Sequence, residues 1–317
     1  MIVYEIVDTL SHMNIQECLV DEPLKNHTSI RIGGGAKLLV KPKTKKQVTA
    51  CINFFVTNNI KFFVIGNGSN LLVSDDGYDG VVIKLGRNLC GYKISDNSIY
   101  ADAGMSLFEL NKICKLNGLS GLEFSYGIPG SVGGAICMNA GSFGHSIGEF
   151  LDYCLVLENG KLKKVKAKKF EFEYRHSIVK QKGWVVLGAK FNLIKKEPRE
   201  VELLQNEYFQ KKLATQPYSE LSFGSVFKRK DGEVAISKII DDLKLKGKSF
   251  GDAEISKKHA GFIINKGTAT CKDCLKLIKY IQKKIQQHFG FCPELEVQLL
   301  GVKEDEIIRW LSHTYKI

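Results

Sequence analysis

Two stretches of the chain repeat apolar residues at the spacing of a helix. In "TKKQVTACINFFVTNN" (44–59), Val48, Cys51, Ile52 and Phe55 share one face behind a Thr44 cap. In "CLKLIKYIQKKIQQHFG" (274–290), Leu275, Ile278, Ile281 and Ile285 do the same, and Gly290 supplies a stop. Further helices are predicted at "SLFELNKICKLNG" (106–118), which opens on a Ser106/Glu109 capping box, at "EVELLQNEYFQKKL" (200–213) and at "SKIIDDLK" (237–244). Strand-like runs lie at "KFFVI" (61–65), "VVIKL" (81–85), "SIYADAG" (98–104), "GWVVLGAKFNLI" (183–194), "HAGFIIN" (259–265) and "ELEVQLLG" (294–301). "YCLVLENGKLKKV" (153–165) reads as a hairpin about Asn159-Gly160, a pair suited to a type I′ turn.

Helix and strand alternate irregularly, which gives an α+β class. A composition break at "KKEPRE" (195–200) places a domain boundary after residue 195. The division expected is an N-terminal lead over 1–29, a domain over 30–195, a second over 196–301 and a tail over 302–317. At 317 residues and 44% apolar, the chain is globular and large enough for two or three domains. No apolar run is long enough to span a bilayer, and Glu5 and Asp8 stand where a signal peptide would be basic, so a cytoplasmic location is expected.

The nine cysteines form no framework, which fits reduced thiols. Cys271, Cys274, His288 and Cys292 have spacing reminiscent of zinc ligands. A helix would hold Cys274 and His288 about 21 Å apart at roughly 1.5 Å per residue, so no metal site is expected. The net charge of +12 admits polyanionic partners, but the lysines are dispersed and lack interleaved aromatics, so solvated faces are favoured over nucleic-acid binding.

Candidate chemistry begins with glycine. "GIPGSVGGAICMNAG" (127–141) holds five glycines, and "GNGSN" (66–70) follows a strand. The second lacks the third glycine and the following helix of a Rossmann turn, and no P-loop motif is present. Two uncharged loops remain, 66–70 and 127–134, each able to present successive backbone N–H groups to an anion. Purely structural turns explain such loops equally well.

Seven motifs then fall in one order: "IRIGGGA" (30–36), "GNGSNLLV" (66–73), the 127–141 segment, "YRHS" (174–177), "GSVFKR" (224–229), "SKKHAGFIIN" (256–265) and "ELEVQLLG". The chain resembles the UDP-N-acetylenolpyruvoylglucosamine reductase family, in its shorter, type II form, over roughly residues 25–301. The resemblance implies an FAD-binding domain of the vanillyl-alcohol-oxidase/PCMH type followed by a C-terminal α+β substrate-binding domain. It implies non-covalent FAD, NADPH as reductant and UDP-N-acetylglucosamine enolpyruvate as substrate, in peptidoglycan synthesis. A monomer is expected, with no nucleic-acid or membrane partner.

By motif, Arg175, Ser225 and Glu296 carry over as catalytic. Gly66, Asn67, Gly68, Ser69, Asn70, Gly127, Pro129, Gly130, Ser131, Gly133, Gly134 and Asn139 carry over as cofactor-binding, with Tyr174, Lys228 and His259 as further pocket residues. Each has a plainer reading: Ser225 as a turn hydroxyl, Arg175 as a partner of Glu171 or Glu173, Glu296 as an outward charge on an apolar strand, and Tyr174 and His259 as packing. His27 is not part of the family motif, so covalent flavin attachment is not expected. Phe223 before Gly224, Lys230-Asp231 after "GSVFKR" and Lys211-Lys212 before Gln216-Pro217 depart from the family pattern. Two other functions stay open on sequence alone: another FAD-dependent sugar or alcohol oxidoreductase of this fold, and a basic nucleic-acid binder without catalysis.

Overall fold

The structure, a computed structural model, describes residues 2–230 and 234–310, the last three as backbone only. Asp231 and residues 311–317 of the expected tail lie outside the described residues. The chain forms two compact units, Met1–Val20 with Lys37–Asn67 and Gly80–Lys212, and Asp21–Ala36 with Gly68–Asp79 and Leu213–Ile317.

These units differ from the contiguous division read in the sequence. The helix Pro198–Thr215 follows the composition break as expected, with proline where no N–H is needed. Its contacts hold it in the first unit: Gln205 Nε2 donates to the Asn111 carbonyl at 2.9 Å, and Lys115 pairs with Glu202 at 3.0 Å. The break between units therefore falls after Lys212. Ile30, Ile32 and Leu72, early in the chain, belong to the core of the second unit.

In the first unit, Thr44 caps the helix Lys45–Thr57 by accepting from Gln47 N at 3.1 Å, and Val48, Cys51, Ile52 and Phe55 are buried. The strand Phe62–Ile65 pairs in parallel with Tyr78–Lys84. A five-stranded antiparallel sheet runs Lys161–Lys166, Leu151–Glu158, Val185–Asn192, Ser98–Asp102, Tyr92–Ser95. Its hairpin turns at Asn159 (φ 47°) and Gly160 (φ 75°), the left-handed pair that a type I′ turn requires. The lysine-rich run is the exposed edge strand of this sheet, where Lys163 meets Glu158 and Lys166 meets Asp152; charge there protects an open edge from foreign strands.

Two details depart from expectation. Ser106 accepts from Glu109 N at 3.1 Å, but the Glu109 carboxylate faces Lys112 at 3.8 Å rather than closing a capping box. The N-terminal lead contains the helix Val3–His12, with Ile6 and Leu10 buried.

The second unit is built on an antiparallel sheet of order Leu221–Ser225, Phe262–Asn265, Ala253–Ile255, Ser249–Phe250 and on the helix Cys271–Phe289. That helix buries Leu275, Ile278, Ile281 and Ile285 and ends at Gly290 (φ 74°). Cys271 and Cys274 lie at its buried start and His288 at its far end, as the periodicity predicted. Burial holds both thiols far above the ordinary cysteine range, which leaves them inert. Residues 304–310 close the described chain as a helix. No described helix is long and apolar enough to cross a membrane.

Candidate active site

In the first unit, the strand Phe62–Ile65 delivers Gly66 against the 127–131 loop. A Cβ on Gly66 would lie 2.1 Å from Ser131 Oγ, so only glycine allows this approach. Asn67 Nδ2 donates to the Pro129 carbonyl at 3.1 Å, tying the two glycine-rich segments together. The N–H groups of Asn67, Gly130 and Ser131 bond to no other described residue.

The second segment is a loop only as far as Ser131, which caps the helix Val132–Cys137 by accepting from Gly134 N at 3.3 Å. Sequence reasoning extended the loop through Gly134 because glycines obscure a short helix. The Val132 and Gly133 N–H groups are spent on the Met105 and Ala103 carbonyls, both at 2.9 Å, and a Cβ on Gly133 would meet Ala103 Cβ at 3.0 Å. Gly133 thus serves close packing, and Gly134 N–H serves the cap.

Arg175 occupies a tight turn in which Glu173 and His176 exchange N–H···O bonds at 3.2 Å. Its φ of 54° lies in the left-handed region, where a long side chain is strained. Its Nη2 donates to the Gly141 carbonyl at 3.1 Å, and its guanidinium lies 4.9 Å from the centroid of the half-exposed Tyr174 ring. Asn139, expected at the cofactor, has its side chain committed elsewhere: Nδ2 donates to the Glu173 carbonyl at 2.9 Å, and Oδ1 accepts from Gly148 N at 3.1 Å.

At Lys212 sequence reasoning saw only a departure from the family pattern and missed its burial. Lys212 is 4% exposed and donates to the Phe124 carbonyl at 3.4 Å. Burial and then the nearby Arg175 charge pull its ammonium down to about 8. The folded value lies below the ordinary 10.5, so unfolding takes up a proton between about 8 and 10.5, and stability attributable to this residue rises with pH across that window. Lys212→Met is expected to raise the Tm by about 3 °C or more. That gain is full below about pH 8 and fades toward 10.5. A gain independent of pH would show that Lys212 does not titrate there.

In the second unit, Gly68 (φ 65°) is bare where a Cβ would stand 2.1 Å from the His27 carbonyl. His27 Nε2 is within 2.9 Å of Glu22. The N–H groups of Gly68, Ser69 and Asn70 bond to no other described residue. Asn70 Nδ2 donates to the Glu296 carbonyl at 3.0 Å, and Asn70 O accepts from Gln298 N at 3.0 Å.

Ser225 ends the strand Leu221–Ser225, whose register with Phe262–Asn265 shifts between Ser222 and Ser225, where Gly224 has φ 81°. Such a bulge re-aims the next side chain. The half-buried Ser225 hydroxyl makes no hydrogen bond to a described residue. Glu296 lies in an irregular link before the strand Gln298–Leu300, not within an alternating strand, because its N–H turns to the Val226 carbonyl at 2.9 Å. It is half-buried rather than an outward charge, and it runs beside the segment that carries Ser225.

The remaining pocket residues have partners of their own. Lys228 pairs with Glu294 at 2.5 Å. His259 Nδ1 accepts from Gly261 N at 3.2 Å and its ring meets Phe262 edge-on; burial, then Lys246, lowers its pKa, so it is neutral near pH 7. Phe223, the bulky departure, is wholly buried in the core. Lys230 lies over the Phe291 ring at 4.3 Å.

Comparison with known proteins matches residues 36–166 to an FAD binding domain and residues 216–300 to the C-terminal domain of UDP-N-acetylenolpyruvoylglucosamine reductase. The chain is 39% identical over 290 residues to the UDP-N-acetylenolpyruvoylglucosamine reductase of Clostridium kluyveri, covering 91% of this chain and 95% of that protein. It is 38% identical over 283 residues to the enzyme of the same name from Staphylococcus aureus, covering 89% and 92%. The crystal structure of UDP-N-acetylenolpyruvylglucosamine reductase from Thermus caldophilus superposes with a TM-score of 0.77 at 31% identity, covering 90% of this chain and 98% of that one.

Proposed function

The chain belongs to the UDP-N-acetylenolpyruvoylglucosamine reductase family, and from that premise we propose that Arg175, Ser225 and Glu296 carry out its reaction. It is an FAD-dependent oxidoreductase of peptidoglycan synthesis, acting on UDP-N-acetylglucosamine enolpyruvate to give UDP-N-acetylmuramate. The reductant in this reading is NADPH. In the second unit the uncommitted N–H groups of Gly68, Ser69 and Asn70, and in the first those of Asn67, Gly130 and Ser131, each make a set of main-chain donors suited to a phosphate of the cofactor. FAD, when bound, supplies the hydride chemistry between NADPH and C3 of the enolpyruvyl ether.

The protein's own residues do the rest. Arg175 presents a planar fork that suits the enolpyruvyl carboxylate, where charge grows as C3 is reduced. Ser225 delivers a proton to C2, which requires only a hydroxyl free to donate at the correct carbon. Glu296 polarises the enol-like species or passes the proton on. The observation that carries the reading is the bulge at Gly224, which leaves the Ser225 hydroxyl unengaged on a segment running beside Glu296.

The purified protein is expected to consume NADPH with this substrate and not with simple sugars or alcohols; the opposite pattern would overturn the assignment. Arg175→Lys keeps the charge but loses the two-point grip, and substrate turnover should fall about 10²-fold, the scale of a misplaced reactant. Wild-type kinetics in this variant would remove Arg175 from the reaction.

A further inference from the structure

Arg175 is held in a backbone conformation that an arginine does not choose. A left-handed φ at a non-glycine residue persists only where neighbouring contacts over-determine it. Beyond the turn's own Glu173/His176 bonds, three contacts reach it from one short segment, residues 137–141, at the end of the glycine-rich motif. Ser177 Oγ donates to the Cys137 carbonyl at 2.8 Å, Asn139 Nδ2 to the Glu173 carbonyl at 2.9 Å, and Arg175 Nη2 to the Gly141 carbonyl at 3.1 Å. The middle tie alone comes from a side chain of the 137–141 segment.

The Asn139 carboxamide cannot rotate freely, because Gly148 N–H donates to its Oδ1 at 3.1 Å and fixes which end faces Glu173. Gly148 is glycine for the same reason: a Cβ there would meet the Phe172 ring at 2.6 Å and Asn139 Oδ1 at 3.0 Å. Asn139 is itself left-handed, with φ 42°, a conformation that asparagine tolerates better than most residues. Residue type, backbone and both amide ends all serve one outcome, a fixed position for the Glu173 carbonyl.

We propose that Asn139 is a positioning residue for Arg175, its carboxamide holding the 173–176 turn in the form that presents the guanidinium. The proposal rests on the reading of Arg175 as catalytic. It reassigns Asn139 from cofactor contact to the geometry of the reacting side chain. Its action runs through Arg175 alone.

The test is a double-mutant cycle of Asn139→Asp with Arg175→Lys, read by rapid mixing in the two half-reactions. Aspartate keeps the left-handed preference and the acceptor for Gly148 N but cannot donate to Glu173 when ionised. Asn139→Asp should bind FAD stoichiometrically and lose its flavin colour with NADPH at the wild-type rate. Return of the colour on adding the enolpyruvyl substrate should slow about tenfold, and the double variant should be no slower than Arg175→Lys alone. Multiplicative losses in the cycle, or loss of FAD from Asn139→Asp, would overturn the proposal. A slow Arg175→Lys beside a wild-type Asn139→Asp removes this proposal only; a wild-type Arg175→Lys removes the reading of Arg175 and the proposal with it. Should Asn139→Asp fail to fold, Gly148→Ala perturbs the same amide from its other end and should give the same selective slowing. A wild-type rate there would equally count against the proposal.

Discussion

Ser225→Ala is expected to slow one half of the catalytic cycle by about 10²-fold or more, the scale of a lost positioned acid, and to leave the other half near wild type. The asymmetry follows from where the proton is needed. Transfer of a hydride from NADPH requires no proton at the substrate's C2, so loss of flavin colour on mixing with NADPH should be unaffected. Return of the colour with the enolpyruvyl substrate should slow, because nothing else is asked to protonate C2. The alanine is tolerable at this position: the half-buried hydroxyl makes no bond to a described residue, and the strand pairing to Phe262 is main-chain. Ser225→Cys, which keeps a transferable proton at altered geometry, should recover part of the rate. Equal slowing of both halves would point to a damaged cofactor site, and normal colour return in Ser225→Ala would make Ser225 a turn residue and nothing more.

The elements came through in the sequence wherever one periodicity ran long enough. Val48, Cys51, Ile52 and Phe55, or Leu275 to Ile285, are spaced by the helix itself, and burial of that face is what stabilises it. The helix Val132–Cys137 escaped detection because it is short and glycine-rich and is fixed by bonds to Ala103 and Met105, some thirty residues earlier. Glu296 lies outside the expected strand for a related reason. "ELEV" alternates like a strand, but the partner that diverts its N–H, Val226, lies far away in the sequence.

The candidate site divides in the same way. Ser225 and Arg175 were named through ordered motifs, yet the local geometry on which their proposed roles rest is tertiary: a bulge at Gly224 for one, a left-handed turn bonded to Asn139 for the other. Asn139 and Asn70 read as cofactor residues because they sit in glycine-rich motifs. Their side-chain amides bond to the Glu173 and Glu296 carbonyls, so each motif also supports a segment bearing a catalytic candidate. The burial of Lys212 carried no signal, since a lysine in a polar helix is ordinarily solvated; it arises from the 124–127 segment packed on it.

Gly66→Val is expected to weaken FAD binding and to leave the purified protein short of its yellow cofactor. The added Cβ would stand 2.1 Å from Ser131 Oγ and 3.2 Å from Ser131 Cβ, so one partner must yield. Ser131 is not free to do so: its hydroxyl caps the helix Val132–Cys137, and its flanks are bonded to the 105–107 segment through Gly130 O at 3.0 Å and Val132 N at 2.9 Å. Relief that spares the cap displaces the 127–131 loop, whose uncommitted N–H groups are the proposed pyrophosphate donors. Overpacking of this kind costs about 1–3 kcal/mol, which weakens FAD binding by about 10–10²-fold if it falls on the bound form. Titration of the apoprotein with FAD, followed by quenching of flavin fluorescence, reads this directly and needs no turnover. Gly86→Ala is the matched control, because a Cβ there meets nothing within 4 Å, and it should keep full flavin. Gly133→Val should instead lower the Tm, since its added atoms press on Ala103. Wild-type FAD affinity in Gly66→Val would mean that the contact of Gly66 with Ser131 shapes only the fold, and the cradle would have to be sought elsewhere.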